Sequence, residues 1–164
     1  MQPNVTHNYR SAACVAIFVA LLASAVIAQA TDPHVGVWKL NLAKSKYEPG
    51  PGPKSGTTKW EVVAAGIKVT ADDVLADGTT RHWESTANFD GKDYPVTGNS
   101  PNGDTVARTR VDARTIKAIN KKDGKVTTTQ TSVVSADGKT RTVTTTGVNA
   151  AGQKVHNVTV YDKQ

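Results

Sequence analysis

The chain has 164 residues, with 20 Lys or Arg against 14 Asp or Glu, one Cys, and a formal net charge of +6. That length is enough for one domain. The basic residues are scattered, with Lys121-Lys122 the longest basic pair, which argues against the clustered patch with stacking aromatics that nucleic-acid binding needs.

The chain opens with one positive charge, Arg10, then a largely apolar run from Ala12 to Ile27, then the small-x-small triplet Ala28-Gln29-Ala30. This is the layout of a secretory signal peptide cleaved after Ala30. An uncleaved membrane anchor is the rival reading, but the run falls slightly short of the ~17–25 residues a spanning helix needs. A lipid anchor on Cys14 fits poorly, because the apolar run mostly follows that residue. Cleavage would leave residues 31–164 as an exported protein, periplasmic or extracellular, with no membrane span. Arg10 and Cys14 would leave with the signal. Nineteen basic residues would then face 14 acidic ones, a charge of +5, with no thiol for a disulfide, haem attachment or cysteine-based metal site.

The remainder is punctuated by turn signals. Asp-Gly occurs at 77–78, 90–91, 123–124 and 137–138, Asn-Gly at 102–103, and Ala-Ala-Gly at 150–152. Such pairs accept the positive φ of tight hairpins. Asp112-Ala113-Arg114 supplies a further turn in the one long interval. The intervals are rich in Thr and Val, which suit a pleated surface and fit helices poorly. Ten strands are predicted: 36–42, 57–64, 67–74, 79–88, 92–97, 104–111, 114–120, 125–134, 139–147 and 154–162. Between the first two lies "AKSKYEPGPGPKSG", whose prolines and glycines exclude helix and ladder alike. It is expected to be a strap or loop crossing one end of a barrel or sandwich. The predicted fold is all-β, an antiparallel up-and-down β-barrel of about ten strands without lid helices. A two-sheet sandwich of the same strands is the alternative.

Alternation places Trp60 and Val62 on one face of the second strand, opposite Lys59 and Glu61. It places Trp83, Ser85, Ala87 and Phe89 together on the fourth. Both tryptophans therefore point inward. In "KVTTTQTSVV" the pattern leaves either Thr127, Thr129 and Thr131 or Thr128, Gln130 and Ser132 inside. After residue 30 there are only three Leu, three Ile and one Phe. Val, Thr and Ala do most of the filling, so the interior is either a partly polar cavity or a flattened, closed core.

"VGVWKLN" (35–41) resembles the first strand of the calycins, the lipocalins and fatty-acid-binding proteins, which share Gly-x-Trp near the closed end of the barrel. The resemblance implies that Gly36 lets the backbone pass closely and that Trp38 plugs the base. "VTVYDKQ" (158–164) is similar to the terminal strand of fatty-acid-binding proteins. In that family an inward Arg two residues before the Tyr helps hold the ligand carboxylate. Here that position is Thr159, so only Tyr161 carries over, and the Pro-Gly strap stands where the family has a helical lid. "DGKDYPVTG" (90–98) and "DGKT" (137–140) also resemble stretches of lipocalin-like exported bacterial proteins.

The resemblance implies a non-catalytic binding protein that holds a small apolar or amphipathic molecule, with no cofactor, acting as a monomer. Ligand-binding candidates are Trp60, Trp83, Phe89, Tyr94 and Tyr161. Arg108 and Arg110 join them if their shared strand face points inward; otherwise both are solvated. A structural or envelope-interaction protein with a filled barrel is the alternative. No Gly-x-Ser-x-Gly, His-Glu-x-x-His or phosphate-binding loop is present, which gives catalysis little support. His82 and Glu84 share a strand face as an outward pair or an acid/base pair. His34, before the first strand, and His156, in the last, lie on chain segments that neighbour each other in a closed barrel, where they could form a two-His site. Their spacing carries no ligand motif, and no metal is expected.

Overall fold

A computed structural model describes residues 32–164. The apolar opening segment and its cleavage triplet lie outside the described residues. Ten antiparallel strands close into one barrel in sequential order. They are β1 (Gly36–Leu40), β2 (Ser55–Val63), β3 (Gly66–Val74), β4 (Thr80–Ala87), β5 (Asp90–Gly98), β6 (Thr105–Asp112), β7 (Thr115–Lys122), β8 (Lys125–Val134), β9 (Thr140–Val148) and β10 (Lys154–Lys163). All ten predicted strands are present, and closure of β1 on β10 decides for a barrel over a sandwich. Closure leaves no unpaired sheet edge. The predicted turn at 112–114 joins β6 to β7. Cross-strand pairing of β4 with β5 is short, only Trp83–Ser85 against Val96–Gly98.

Of the strap predicted over 43–56, residues 45–54 are irregular and lie at the open end, here called the mouth, while Ser55 and Gly56 already belong to β2. A single 3-10 turn over Leu42–Lys44, not foreseen from sequence, starts the strap. The strap is tied to the edge of β10 beyond its pairing with β1: Lys46 bridges Val158, and the Glu48 carbonyl accepts from the His156 amide at 2.8 Å.

The inward residues follow a gradient along the barrel axis. At the opposite end, the floor, they are large and apolar: Trp38, Trp60, Ile67, Val69, Ile116 and Val134 form the buried cluster. Towards the mouth the same strands turn small or polar. β3 runs Ile67, Val69, Ala71, Asp73, and β8 runs Val134, Ser132, Gln130, Thr128. Thr128, Gln130 and Ser132 are therefore the inward set of β8. Trp60 points inward as predicted, whereas Val62, on the same face, extends past the floor and is 70% exposed.

The floor is sealed by the stretch before β1. Trp38 is fully buried, and its indole N–H donates to the His34 carbonyl at 2.8 Å. Asp32 pairs with Arg110 of β6, whose guanidinium lies 4.2 Å from the centre of the Phe89 ring. Gly36 has φ +130°, and a Cβ there would approach Lys163 Cε to 2.9 Å. The neighbour is the flexible end of a side chain on the last strand and not backbone, so the positive φ is what favours glycine at this position.

Candidate functional site

Above the floor the barrel is hollow. A small deep chamber of about 90 Å³ lies over the aromatic cluster, between Trp60, Val69, Val106 and Ile116. A larger one of about 450 Å³ opens above it, beneath Tyr47 and the prolines of the strap. Thr58, Trp83, Gln130, Val143 and Tyr161 contribute to both walls, so the chambers are consecutive.

Two arginines reach the deep chamber from strands three apart, Arg108 on β6 and Arg141 on β9. They are 5% and 3% exposed. Arg108 Nη2 donates to Ser85 Oγ at 2.6 Å, and Arg141 Nη2 donates to Thr58 Oγ1. Both guanidinium carbons sit over the Trp60 ring, at 5.5 and 5.0 Å from its centre. Arg141 also lies 4.7 Å from the centre of the Tyr161 ring and 5.3 Å from that of Trp38. Aromatic faces offer partial compensation for a buried cation. They do not neutralise it: among the described residues neither arginine forms an ion pair with a carboxylate.

The electrostatic consequences are directional. Burial, with the Arg141 charge added, pulls the Arg108 guanidinium down to about 10. Burial does the same to Arg141, with the nearby Tyr161 hydroxyl opposing it. Burial raises the Tyr161 hydroxyl to about 12, against the pull of Arg141. At neutral pH the deep chamber therefore holds two cations and a neutral phenol. It is also rich in donors that lack acceptors. Among the described residues Arg108 Nη1, Arg141 Nε and Trp60 Nε1 are buried without a hydrogen-bond partner. Such groups are rare in folded proteins and call for a specific explanation.

The walls of the upper chamber differ in kind. Amides and hydroxyls, Asn102, Gln130, Thr145, Asn157 and Thr159 among them, alternate there with apolar residues such as Ala71, Leu75, Val143 and Val155. Its inner carboxylate, Asp73, is held by Arg81 at 2.7 Å. Trp83 and the strap prolines provide flat apolar surface.

Of the residues singled out from sequence, Trp60, Trp83, Arg108 and Tyr161 are brought together around the chambers. Arg110 shares the face of Arg108 but lies one step closer to the floor, paired with Asp32, and Phe89 sits beneath it. Tyr94 lines neither chamber; its hydroxyl donates to Asp90 at 3.0 Å and accepts from Asn88. His34 and His156 do not meet. β1 and β10 are neighbours but antiparallel, which puts buried His34 at the floor and exposed His156 at the mouth. His82 and Glu84 face outward and are engaged separately, with Asp72 at 2.7 Å and Lys68 at 2.8 Å. Among the described residues no three His, Cys, Asp or Glu side chains converge as a metal site would require.

Arg141 lines the deep chamber but was not among the residues expected from the sequence. A signal existed: Arg141, Val143 and Thr145 share one face of β9, and Val143 is its one apolar residue between two Thr-rich flanks. The face carrying Val143 was the one to place inside.

Comparison of the chain with protein-family models, curated proteins and solved structures finds no match to any of them; the closed, ten-stranded antiparallel barrel is compatible with a calycin-like fold.

Proposed function

We propose that this chain is an exported, non-catalytic binding protein of calycin type, periplasmic or extracellular, that holds one small amphipathic molecule inside its barrel. The observation that carries the reading is the hollow interior ending on two buried, unneutralised guanidiniums. A concave site with flat apolar walls and a few convergent polar groups is the usual form of a small-molecule pocket. The apolar part of the guest would lie against Trp60 and Trp83, and its polar end would meet Arg108, Arg141 and the Tyr161 hydroxyl. Phe89 and Arg110 belong to the floor in this reading, and Tyr94 to the outer β4–β5 region. Fold alone does not assign function; the electrostatics of the deep chamber make the case.

Native mass spectrometry of the protein purified from an exporting host, with extraction of any co-purified small molecule, tests the reading. A stoichiometric guest, lost in a folded Trp83→Ala variant, supports it. A clean apo mass that does not shift with a library of small amphipathic molecules refutes it and favours an envelope-interaction protein.

A further inference from the structure

The two chambers make opposite chemical demands, and together they restrict the guest more narrowly than amphipathic character does. The deep chamber offers three unpartnered N–H donors, from Arg108, Arg141 and Trp60, and two positive charges. Only a group with several acceptor lone pairs and a negative charge satisfies both. At about 90 Å³ it has room for a few water-sized groups, which suits a head group and not a chain. The body of the guest must then occupy the upper chamber. There Gln130 already donates to Thr145 and Asn157 accepts from the Glu48 amide, but a hydrocarbon tail would strip water from their remaining donors and acceptors and from Thr159 with nothing in return, which is unfavourable. Hydroxyl groups at the same positions would exchange hydrogen bonds with those amides and hydroxyls. The flat face of Trp83 would receive the C–H face of a ring.

We propose, building on the binding reading above, that the guest is a compact organic acid with a hydroxylated body, a sugar acid being the type. Its carboxylate sits on Arg108 and Arg141, and its body sits among Gln130, Asn157 and Thr159. The polarity of the interior thus runs opposite to that of a fatty-acid carrier, whose guest needs apolar walls around everything but its head.

Isothermal titration calorimetry on the full chain tests this with three probes: D-glucuronate, methyl glucoside (the same body without the acid) and decanoate (an acid without hydroxyls). D-Glucuronate is expected to bind at least tenfold more tightly than either of the others. Asn157→Leu and Gln130→Leu are expected to weaken D-glucuronate about tenfold and leave decanoate unchanged or tighter. Decanoate binding as tightly as D-glucuronate, or more so, would overturn this proposal while leaving the binding reading intact. Failure of all three to bind would overturn the proposal as well, and the mass-spectrometric result would then decide the broader reading by itself. Because the three probes are compared on the unaltered protein, the outcome does not depend on any variant folding.

Discussion

Replacing Arg141 by Met is expected to stabilise the empty protein while removing its capacity to hold an anion. Arg141 is 3% exposed, and burial lowers its guanidinium from 12.5 to about 10. A displacement of that size corresponds to about 3–4 kcal/mol of unfavourable burial at neutral pH. Methionine spares that cost and keeps most of the apolar stem. Against the gain stand the hydrogen bond to Thr58, about 1 kcal/mol, and the contacts with Trp38, Trp60 and Tyr161, together about 1.5 kcal/mol. The balance is a gain of about 1 kcal/mol, in line with the behaviour of other buried charges replaced by apolar groups. With a urea m-value of about 2 kcal/mol per M, the unfolding midpoint should rise by about 0.5 M. The Arg108→Met change should act in the same direction. The double variant should gain less than the sum of the two, because the first substitution already relieves the repulsion between the guanidiniums. A fall of more than 1 kcal/mol for Arg141→Met would show that the cation is held by structure and not for a ligand, and would refute the reasoning.

Three other outcomes follow from the floor and the turns. Trp38→Phe should cost about 1–2 kcal/mol in urea unfolding, since it loses the hydrogen bond to His34 and leaves part of a fully buried site empty. Gly103→Ala should cost about 2 kcal/mol or more, because φ is +144° and the new Cβ would lie 2.0 Å from the Lys121 carbonyl oxygen. Gly124→Ala, at φ +73° with open space around it, should cost only about 1 kcal/mol, so equal losses for the two would contradict the packing argument. Asp32 is held at about 2: burial opposes its ionisation, but the hydrogen bonds from His34 and the Arg110 charge outweigh that. Its folded-state pKa lies below the unfolded 3.8, so the stabilisation is complete above pH 3.8 and lost as pH falls through about 2. The shift corresponds to about 2 kcal/mol, reduced to about 1 kcal/mol by partial exposure to water. Thermal unfolding of Asp32→Asn should therefore trail the unaltered protein at pH 5 and match it near pH 2; a gap that persists at pH 2 would rule the pair out as its source.

Much of the architecture was legible because local chemistry and global fold agree. The Asp-Gly pairs at 77–78, 123–124 and 137–138 and Asn-Gly at 102–103 fall between strands, whereas Asp90-Gly91 opens β5; Thr-Val intervals are poor helices, so ten strands in meander order followed. Their facing was legible only where residues of contrasting polarity alternate, as around Trp60 and Trp83. In β8 both faces are Thr, Ser and Gln, and alternation carries no information; the inward set there is fixed by pairing with β7 and β9. Arg141, unlike Arg108, was hidden for a related reason. Charge normally marks an outward residue, so Arg141 among threonines looks solvated until closure of the barrel places it opposite Thr58 of β2. Arg110 misled in the opposite direction: it shares the face of Arg108, but its partner, Asp32, comes from a stretch whose path under the floor no periodicity encodes. The two-His site, the lesser alternative for these histidines, is ruled out by strand direction. Adjacency of β1 and β10 could be inferred, but the consequence of their antiparallel course for His34 and His156 is that they sit at opposite ends.

The gradient along the barrel axis explains how a chain so poor in large apolar residues can afford a hollow interior. Its few bulky side chains, Trp38, Trp60, Ile67, Val69, Ile116 and Val134, are concentrated in one cluster at the floor and are not spread along the axis. There each contacts several others from different strands, which is where burial of apolar area stabilises most. The upper half needs less of its side chains, because barrel closure already pairs the backbone of every strand and leaves no edge to protect. Thr, Asn and Gln can then line the wall against water without loss, and the strap reaches the barrel mainly through backbone bonds to β10. The one place where this economy breaks down is the boundary between the halves, where two guanidiniums are almost wholly buried and, among the described residues, pair with no carboxylate. A fold selected for stability alone would place Met or Leu at Arg108 and Arg141. Two arginines at that boundary are intelligible if the missing acceptor arrives with a guest.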